Sequence, residues 1–250
     1  MEIKMIGEKV MLKYPVPNTS WKMFYQSTNP LPEPLGTAMH SSIFDYLASV
    51  SENILPSFVD ENLAIIFAPF IECPVSFPKD NLIFLHLQEP NEYSQVIYQL
   101  GHELLHAYYK SQCDTPMFWF EEVLCEVSSH IFLHGFANNW NKSSAPFVSS
   151  FSDFALEYSN SQLKESEPVN LKQLPLDYLQ NNPTGNRKIN TYIASIMLPV
   201  FQKRPDFLAE CRKLSVLYRE TSLIDFFSKA KNVISADYQL DLAKIEALFI

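Results

Sequence analysis

Two histidines and a glutamate in the order HELLH, residues 102–106, have the spacing of a site that binds and activates a metal ion. On a helix, His102 and His106 lie one turn apart on the same face, so both imidazoles can reach one divalent ion. Glu103 points into the same cleft, where it can take a proton from water bound to the metal. The pattern predicts a catalytic site with one zinc ion. The alternative, ordinary histidines on an amphipathic helix, stays open at this point.

A zinc site of this kind needs a third protein ligand, which the following helix can supply. The segment WFEEVLCE offers three candidates: Glu121, Glu122 and Glu126. The two helices can form an antiparallel hairpin that turns near Asp114. In that hairpin Glu122 faces His106, and we predict Glu122 as the third ligand. Glu126 faces His102 and is predicted to accept the outward N–H of that imidazole.

Glu121 is predicted to lie outside the ligand set. Successive residues of a helix are turned by about 100° from one another, so Glu121 cannot share the face of Glu122. Two glutamates near the start of a helix are also a common solvated pair, favoured by the helix dipole. That ordinary role stays open for both.

HELLH followed by WFEEVLCE resembles the gluzincin metallopeptidases, whose small members combine HExxH with a segment of the type W-L-x-E-G-L-A-E. The fourth residue of that segment binds zinc, and it matches Glu122 here. Val123 departs from the pattern, because it replaces a small glycine. The connection is also short, with 15 residues between His106 and Glu122. The 19 residues between His106 and Glu126 match the thermolysin-like spacing, so Glu126 stays open as the ligand.

Three protein ligands leave one position of a tetrahedral zinc ion open for water, as in catalytic sites. The expected reaction is hydrolysis of a peptide bond in a peptide or protein substrate, with Glu103 as the proton acceptor. The tetrahedral intermediate needs a hydrogen-bond donor for its oxyanion. The resemblance implies a tyrosine at this task, and Tyr192 matches its position. A structural role for Tyr192 stays open, and Tyr178 is the reserve candidate.

Other residues near the motif are predicted to have lesser roles. His86, on a predicted strand, is expected to be packed or exposed rather than a ligand. His130 and His134 lie four residues apart but lack a further carboxylate partner, which favours a supporting or surface role. Gly101 either lets another backbone pass close to the metal-binding helix or is a tolerated weak position.

The hydrophobic pattern predicts an α+β fold that positions these residues, and the resemblance implies a zincin-like arrangement. Predicted strands cover 10–16, 63–70 and 81–88. Predicted helices cover Ser41 to about Leu55, 92–110 with Asn91 as cap, 117–134, 150–160, 187–203, 205–218, 221–231 and 236–249. A proline-containing link is expected at 30–34 and a surface loop at 138–150.

The chain is predicted to be one domain, residues 1–250, with two lobes. Residues 1–112 form a small mixed sheet lobe that carries the HExxH helix, and residues 113–250 form a helical lobe. Strand 81–88 is expected to be the sheet edge along which an extended substrate binds. No segment resembles the one with which aminopeptidases hold a free amino terminus, so nothing favours an aminopeptidase.

Composition narrows the classes of partner. With 47% hydrophobic residues the chain can bury a large core, and a net charge of −9 makes nucleic acid an improbable partner. No apolar stretch suits a membrane span or a secretory signal, so a cytoplasmic protein with no membrane partner is expected. The four cysteines have no CxxC spacing and are expected to be reduced thiols, mostly in packing roles: Cys73, Cys113, Cys125 and Cys211. The oligomeric state stays open.

Two other functions fit the same residues. One is a zincin fold that serves as a non-catalytic binding or scaffold module. The other is a peptidase that resembles the ImmA/IrrE group, cleaves a regulator protein and would use Glu126 as its ligand.

Overall fold

The computed structural model describes residues 2–6, 9–16, 18–27, 35–58, 61–68, 71–87, 92–140 and 146–250. It is an α+β fold, as predicted, with strands in the first third of the chain and helices dominating the rest. Buried side chains from both parts join one hydrophobic cluster that extends from Val16 to Phe249. Sheet and helices therefore share a core. No helix within the described ranges is long and apolar enough to cross a bilayer.

Six strands form a mixed sheet in the order β1-β2-β3-β4-β6-β5. The strands are β1 (Glu2–Ile6), β2 (Lys9–Pro15), β3 (Lys22–Ser27), β4 (Ala64–Phe67), β5 (Val75–Phe77) and β6 (Leu82–Leu85). The first three strands pair antiparallel, β4 runs parallel to β3 and β6, and β5 pairs antiparallel with β6. Alternate residues of β4 and β6 are buried, so one face of each strand packs on the core.

The three predicted strands correspond to β2, β4 and β6, whereas β1, β3 and β5 were not predicted. β5 has three residues, and its first and last are exposed, so it lacks a hydrophobic signal. β1 and β3, EIKMI and KMFYQS, mix charged and apolar residues. The prediction that strand 81–88 forms the sheet edge is wrong. β5 pairs along β6 on its outer side and is itself the edge.

Helix α1 (Leu35–Ile54) begins before Ser41, so Ser41 lies inside the helix instead of capping it. Helix α2 (Tyr93–Tyr109) confirms the predicted HExxH helix and ends at Lys110, whose backbone is left-handed with a φ of 56°. The link at 30–34 and the proposed cap Asn91 lie outside the described residues.

Helix α3 (Phe118–Trp140) begins as predicted and continues past the predicted end at 134. Every residue from Phe118 to Leu133 is buried except Glu122, which is partly exposed. A helix surrounded on all sides in this way carries no amphipathic pattern that marks its end. Helix α3 is therefore the central element against which α2, α4 and α6 pack.

The remaining helices are α4 (Pro146–Lys164), α5 (Leu176–Asn181), α6 (Arg187–Lys203), α7 (Phe207–Cys211), α8 (Leu223–Val233) and α9 (Gln239–Phe249). The predicted helices overlap all of them except α5, which was not predicted. The loop predicted at 138–150 is wrong at both ends, because α3 reaches Trp140 and α4 begins at Pro146. Proline is well suited to the first position of a helix, where its missing N–H has no intrahelical partner.

Helices α2 and α3 pack closely at Gly101. A methyl group on Gly101 would lie 3.1 Å from the Cα of Ser129 and 3.2 Å from the side chain of Phe132. The Ser128 hydroxyl donates to the Gly101 carbonyl at 2.8 Å, and the Ser129 hydroxyl donates to the Tyr98 carbonyl at 2.9 Å. Of the two roles considered for Gly101, close approach of a neighbouring backbone is therefore correct.

We expect Gly101→Val to lower the free energy of unfolding by about 2 kcal/mol, because the added atoms overpack the contact between α2 and α3. Urea denaturation measures the change. Gly185→Val is the matched control, since a methyl group there meets only ordinary contacts at 3.8 Å or more, and it should change stability by less than about 0.5 kcal/mol. Equal losses in the two variants would contradict the close-packing role.

Candidate metal centre

The hairpin of α2 and α3 brings His102, His106 and Glu122 together. The Nε2 atom of His102 lies 3.3 Å from Oε2 of Glu122, and the Nε2 atom of His106 lies 3.4 Å from Oε1. Donor atoms about 2.0–2.2 Å from a tetrahedral zinc ion lie roughly 3.3–3.6 Å from one another. Each histidine therefore lies at that spacing from an oxygen of Glu122, His102 from Oε2 and His106 from Oε1.

The outward nitrogens of both imidazoles face glutamates. The Nδ1 atom of His106 lies at hydrogen-bond distance, 2.8 Å, from Glu121, whose side chain is 1% exposed. The Nδ1 atom of His102 lies 3.9 Å from Glu126, on the side where the hairpin geometry predicts that residue. A solvated position for Glu121 is wrong: the 100° turn from Glu122 carries it to the other nitrogen of the same ring. Such outer carboxylates orient ligand imidazoles.

Glu126 is surrounded by donors that hold it in place. Its Oε1 atom accepts from Tyr98 at 2.6 Å and from Thr191 at 3.0 Å, and lies 3.5 Å from Nε2 of His130. Burial would raise the pKa of this carboxyl, but the hydrogen bond and charge of His130, with His102 and Tyr98, lower it to about 2. Because Oε1 is occupied and Oε2 faces the outward nitrogen of His102, the geometry favours Glu122 over Glu126 as a metal ligand.

Cys125 is the residue that sequence reasoning missed as a possible ligand. Its sulfur and a nitrogen of each of His102 and His106 lie within 4.8 Å of one another. The signal was present, since Cys125 stands three residues after Glu122 and shares its helix face. Burial raises the pKa of the Cys125 thiol, although a bound metal ion would favour the thiolate. Cys125 is therefore an alternative to Glu122 as the third ligand.

The two histidines lie among several buried acidic side chains. Burial would lower the pKa of His106, but nearby Cys125 and Glu122 raise it well above its ordinary value. Burial would raise the pKa of Glu122, but His106 and His102 lower it strongly. Glu103, Glu121 and Glu126 are also buried around the two histidines. Buried carboxylates are costly unless positive charge compensates them, and a divalent ion at the two imidazoles would do so.

The site opens into a pocket of about 640 Å³ between β5, α2, α3, α4 and α6. Glu103 lines this pocket beside both histidines, and its carboxylate makes no hydrogen bond or ion pair to the described residues. Tyr192 and Tyr178 are not among the lining residues. Thr191 of α6 points at Glu126, and the next residue along a helix is turned by about 100°. Asn190, two residues before Tyr192, does line the pocket, so the two side chains lie about 200° apart around α6.

Tyr158 and Arg187 line the pocket where a tyrosine was predicted, and sequence reasoning identified neither. Tyr158 comes from α4, part of whose range was predicted as a loop. Arg187 is the first residue of α6. Neither residue belongs to a motif, so only the packing of α4 and α6 against α2 and α3 reveals them.

The other histidines have supporting positions, as predicted for two of them. His130 is buried between Glu126 and the Ser159 hydroxyl, which lies 2.8 Å from its Nδ1 atom. His134 reaches the same hydroxyl at 3.2 Å. His86 lines the pocket with its carbonyl bound by Gln95 and Gln99, while its buried Nδ1 atom has no hydrogen-bond partner among the described residues.

The four cysteines are unpaired. Cys125 and Cys211 are buried, consistent with packing, whereas Cys73 and Cys113 are exposed and line the pocket.

Comparison with known proteins finds no relative of this chain. No model of a protein family matches the chain, and neither curated protein sequences nor solved structures show significant similarity to it. The arrangement of the residues themselves therefore carries the functional argument.

We expect Glu126 to stabilise the fold at neutral pH and not in acid. Its pKa in the folded protein, about 2, lies below that of an unfolded glutamate, about 4.3. The stabilisation is therefore complete above about pH 5 and is lost as pH falls towards 2. Urea denaturation of chelator-treated protein measures the free energy of unfolding. The loss caused by Glu126→Gln relative to wild type should be largest at pH 7 and should decrease as the pH falls. The exposed Glu157→Gln serves as control, and a gap independent of pH would contradict the prediction.

Proposed function

We propose that this chain is a zinc-dependent peptidase of the gluzincin type, with a zincin-like fold. His102, His106 and Glu122 would hold one zinc ion. The single observation that supports the proposal best is that Nε2 atoms of both histidines face one carboxylate at 3.3 and 3.4 Å. That spacing suits a tetrahedral ion, and an adjoining pocket provides access for substrate.

Two glutamates would support the ligand histidines from outside the ligand set. Glu121 holds the ring of His106 through Nδ1, so that Nε2 stays directed at Glu122. Glu126 lies 3.9 Å from Nδ1 of His102, which is too far for a hydrogen bond, and acts on that ring through its charge; it is itself held by Tyr98 and Thr191. Supporting carboxylates of this kind fix the orientation of an imidazole and increase its basicity as a ligand.

Glu103 would be the general base. When bound, zinc would supply a Lewis acid that polarises a carbonyl group and lowers the pKa of a water molecule. Glu103 lines the same pocket as the two histidines and has no competing partner among the described residues. Its carboxylate is therefore available to accept a proton from the attacking water and to pass it to the leaving amine.

Tyr158 is the donor that we propose for the oxyanion in place of Tyr192. It lines the pocket, and burial raises the pKa of its hydroxyl, with Arg187 opposing that shift. The hydroxyl therefore keeps its proton at neutral pH. It donates no hydrogen bond to the described residues, which leaves it available to a developing negative charge on the substrate.

We expect Glu103→Gln to bind zinc as wild type does and to lose at least about 100-fold in peptide hydrolysis, because only the proton acceptor is removed. Metal content is measured by plasma mass spectrometry after dialysis, and hydrolysis with a peptide library. If zinc-loaded wild type and Glu103→Gln act identically on every library, the non-catalytic scaffold function is preferred.

The third ligand is tested by removing each candidate separately. We expect Glu122→Ala to lower zinc affinity by more than about 100-fold, whereas Glu126→Ala and Cys125→Ser should lower it by about 10- to 100-fold or less. Competition with a chromogenic chelator measures the affinities. A greater loss from Glu126→Ala would favour the ImmA/IrrE-like ligand arrangement, and a greater loss from Cys125→Ser would favour a His/His/Cys site.

Variants of Tyr158 and Tyr192 test which tyrosine is the oxyanion donor. The resemblance implies Tyr192, and the pocket lining favours Tyr158. We expect Tyr158→Phe to lower kcat by about 10- to 100-fold with little change in KM, because an oxyanion donor acts mainly in the transition state. Tyr192→Phe should leave kcat within about twofold of wild type. The opposite order would restore Tyr192 to the site.

A further inference from the structure

The pocket beside the candidate metal centre has one strongly basic side chain. Its described lining includes five glutamates: Glu72, Glu103, Glu121, Glu122 and Glu126. Arg187 is the only lysine or arginine among the described residues that line it. Apart from the histidines and any metal ion, Arg187 is therefore the one source of positive charge that the described lining offers a ligand.

Most hydrogen-bond donors of Arg187 have no partner among the residues that the structure describes. A guanidinium group has five N–H donors, and within the described part of the chain Arg187 makes one hydrogen bond, a long one of 3.4 Å to the Tyr98 hydroxyl. No carboxylate oxygen of the described residues lies within 4.0 Å of it. Glu126, whose charge acts on Arg187, already has its Oε1 atom occupied by Tyr98 and Thr191.

Stability of the helix does not account for this arginine. Arg187 is the first residue of α6, where a positive charge opposes the helix dipole. Its guanidinium carbon lies 5.6 Å from the centroid of the Tyr98 ring, which limits the movement of the side chain. The fold thus holds a cation at the pocket whose donors are mostly unused by the described residues, in a position that is electrostatically unfavourable for α6.

We propose that Arg187 is a specificity-determining residue that binds a carboxylate of the substrate. The inference rests on the proposed peptidase function, which makes the ligand a peptide. Paired donors of a guanidinium match the two oxygens of a carboxylate. In a pocket lined by glutamates, a substrate carboxylate is repelled everywhere except beside this side chain or a metal ion. The carboxylate belongs either to the C-terminus of the peptide or to an aspartate or glutamate side chain.

The test uses a randomised hexapeptide library in two forms, one with a free C-terminal carboxylate and one with a carboxamide. Cleavage by the zinc-loaded full-length protein is followed by mass spectrometry. Binding of the same libraries, dye-labelled at the N-terminus, to the Glu103→Gln protein is followed by fluorescence anisotropy. Arg187→Met keeps the apolar stem and removes the charge. Arg212→Met is the matched control, because Arg212 lies 4.8 Å over the ring of Tyr108, outside this pocket.

We expect wild type to prefer carboxylate-bearing peptides by about 10- to 100-fold in kcat/KM and to lose that preference in Arg187→Met but not in Arg212→Met. Loss of the preference on amidation assigns the carboxylate to the C-terminus. A preference for sequences with aspartate or glutamate that survives amidation assigns it to a side chain. Both results support the proposal.

The proposal is overturned if wild type shows no carboxylate preference in cleavage or in binding, or if Arg187→Met weakens all peptides equally. The latter result would make Arg187 a support for Tyr98 and Glu126. Cleavage without a carboxylate preference would leave the peptidase function standing and remove this inference. If binding shows a carboxylate preference that depends on Arg187 but no peptide is cleaved, the carboxylate-binding role of Arg187 stands and the peptidase function is removed.

Discussion

Negative charge buried between α2 and α3 is the constraint on which the rest of the site depends. Glu121, Glu122 and Glu126 lie on one turn and a half of a helix that is enclosed almost on all sides. Carboxylates in such surroundings need hydrogen-bond donors or cations. Two imidazoles supply nitrogens on both faces, and the proposed divalent ion would add further positive charge. The same electrostatic requirement thus accounts for the arrangement of the histidines and supports the proposed metal site.

Close packing makes this arrangement possible. The absence of a side chain at Gly101 lets α3 approach α2, and the hydroxyls of Ser128 and Ser129 bind backbone carbonyls of α2 across the contact. A rigid helix pair fixes the two imidazoles relative to Glu122 without relying on loops. The pocket is completed by elements that come from elsewhere in the chain, namely the edge strand β5 and the helices α4 and α6.

The residues proposed for catalysis and those proposed for substrate binding lie on different helices. The residues proposed to hold the metal and accept the proton stand on the rigid pair α2 and α3. The residues proposed to contact substrate, Tyr158 and Arg187, stand on α4 and α6. Chemistry and specificity would thus reside on separate elements, so that one can change without disturbing the other. This separation is a consequence of the proposed function and of the positions of these side chains.

The sequence by itself determined the elements whose signals are local. The 3.6-residue period set His102 and His106 on one face, and counting across a short hairpin turn predicted that Glu122 would face them. The roles of Glu121 and Cys125, the exclusion of Tyr192 from the pocket, and the position of β5 at the sheet edge were decided only by tertiary structure. Each depends on the rotation of one element against another distant in the chain. That rotation results from the packing of many side chains at once, and no spacing of residues along a single sequence expresses it.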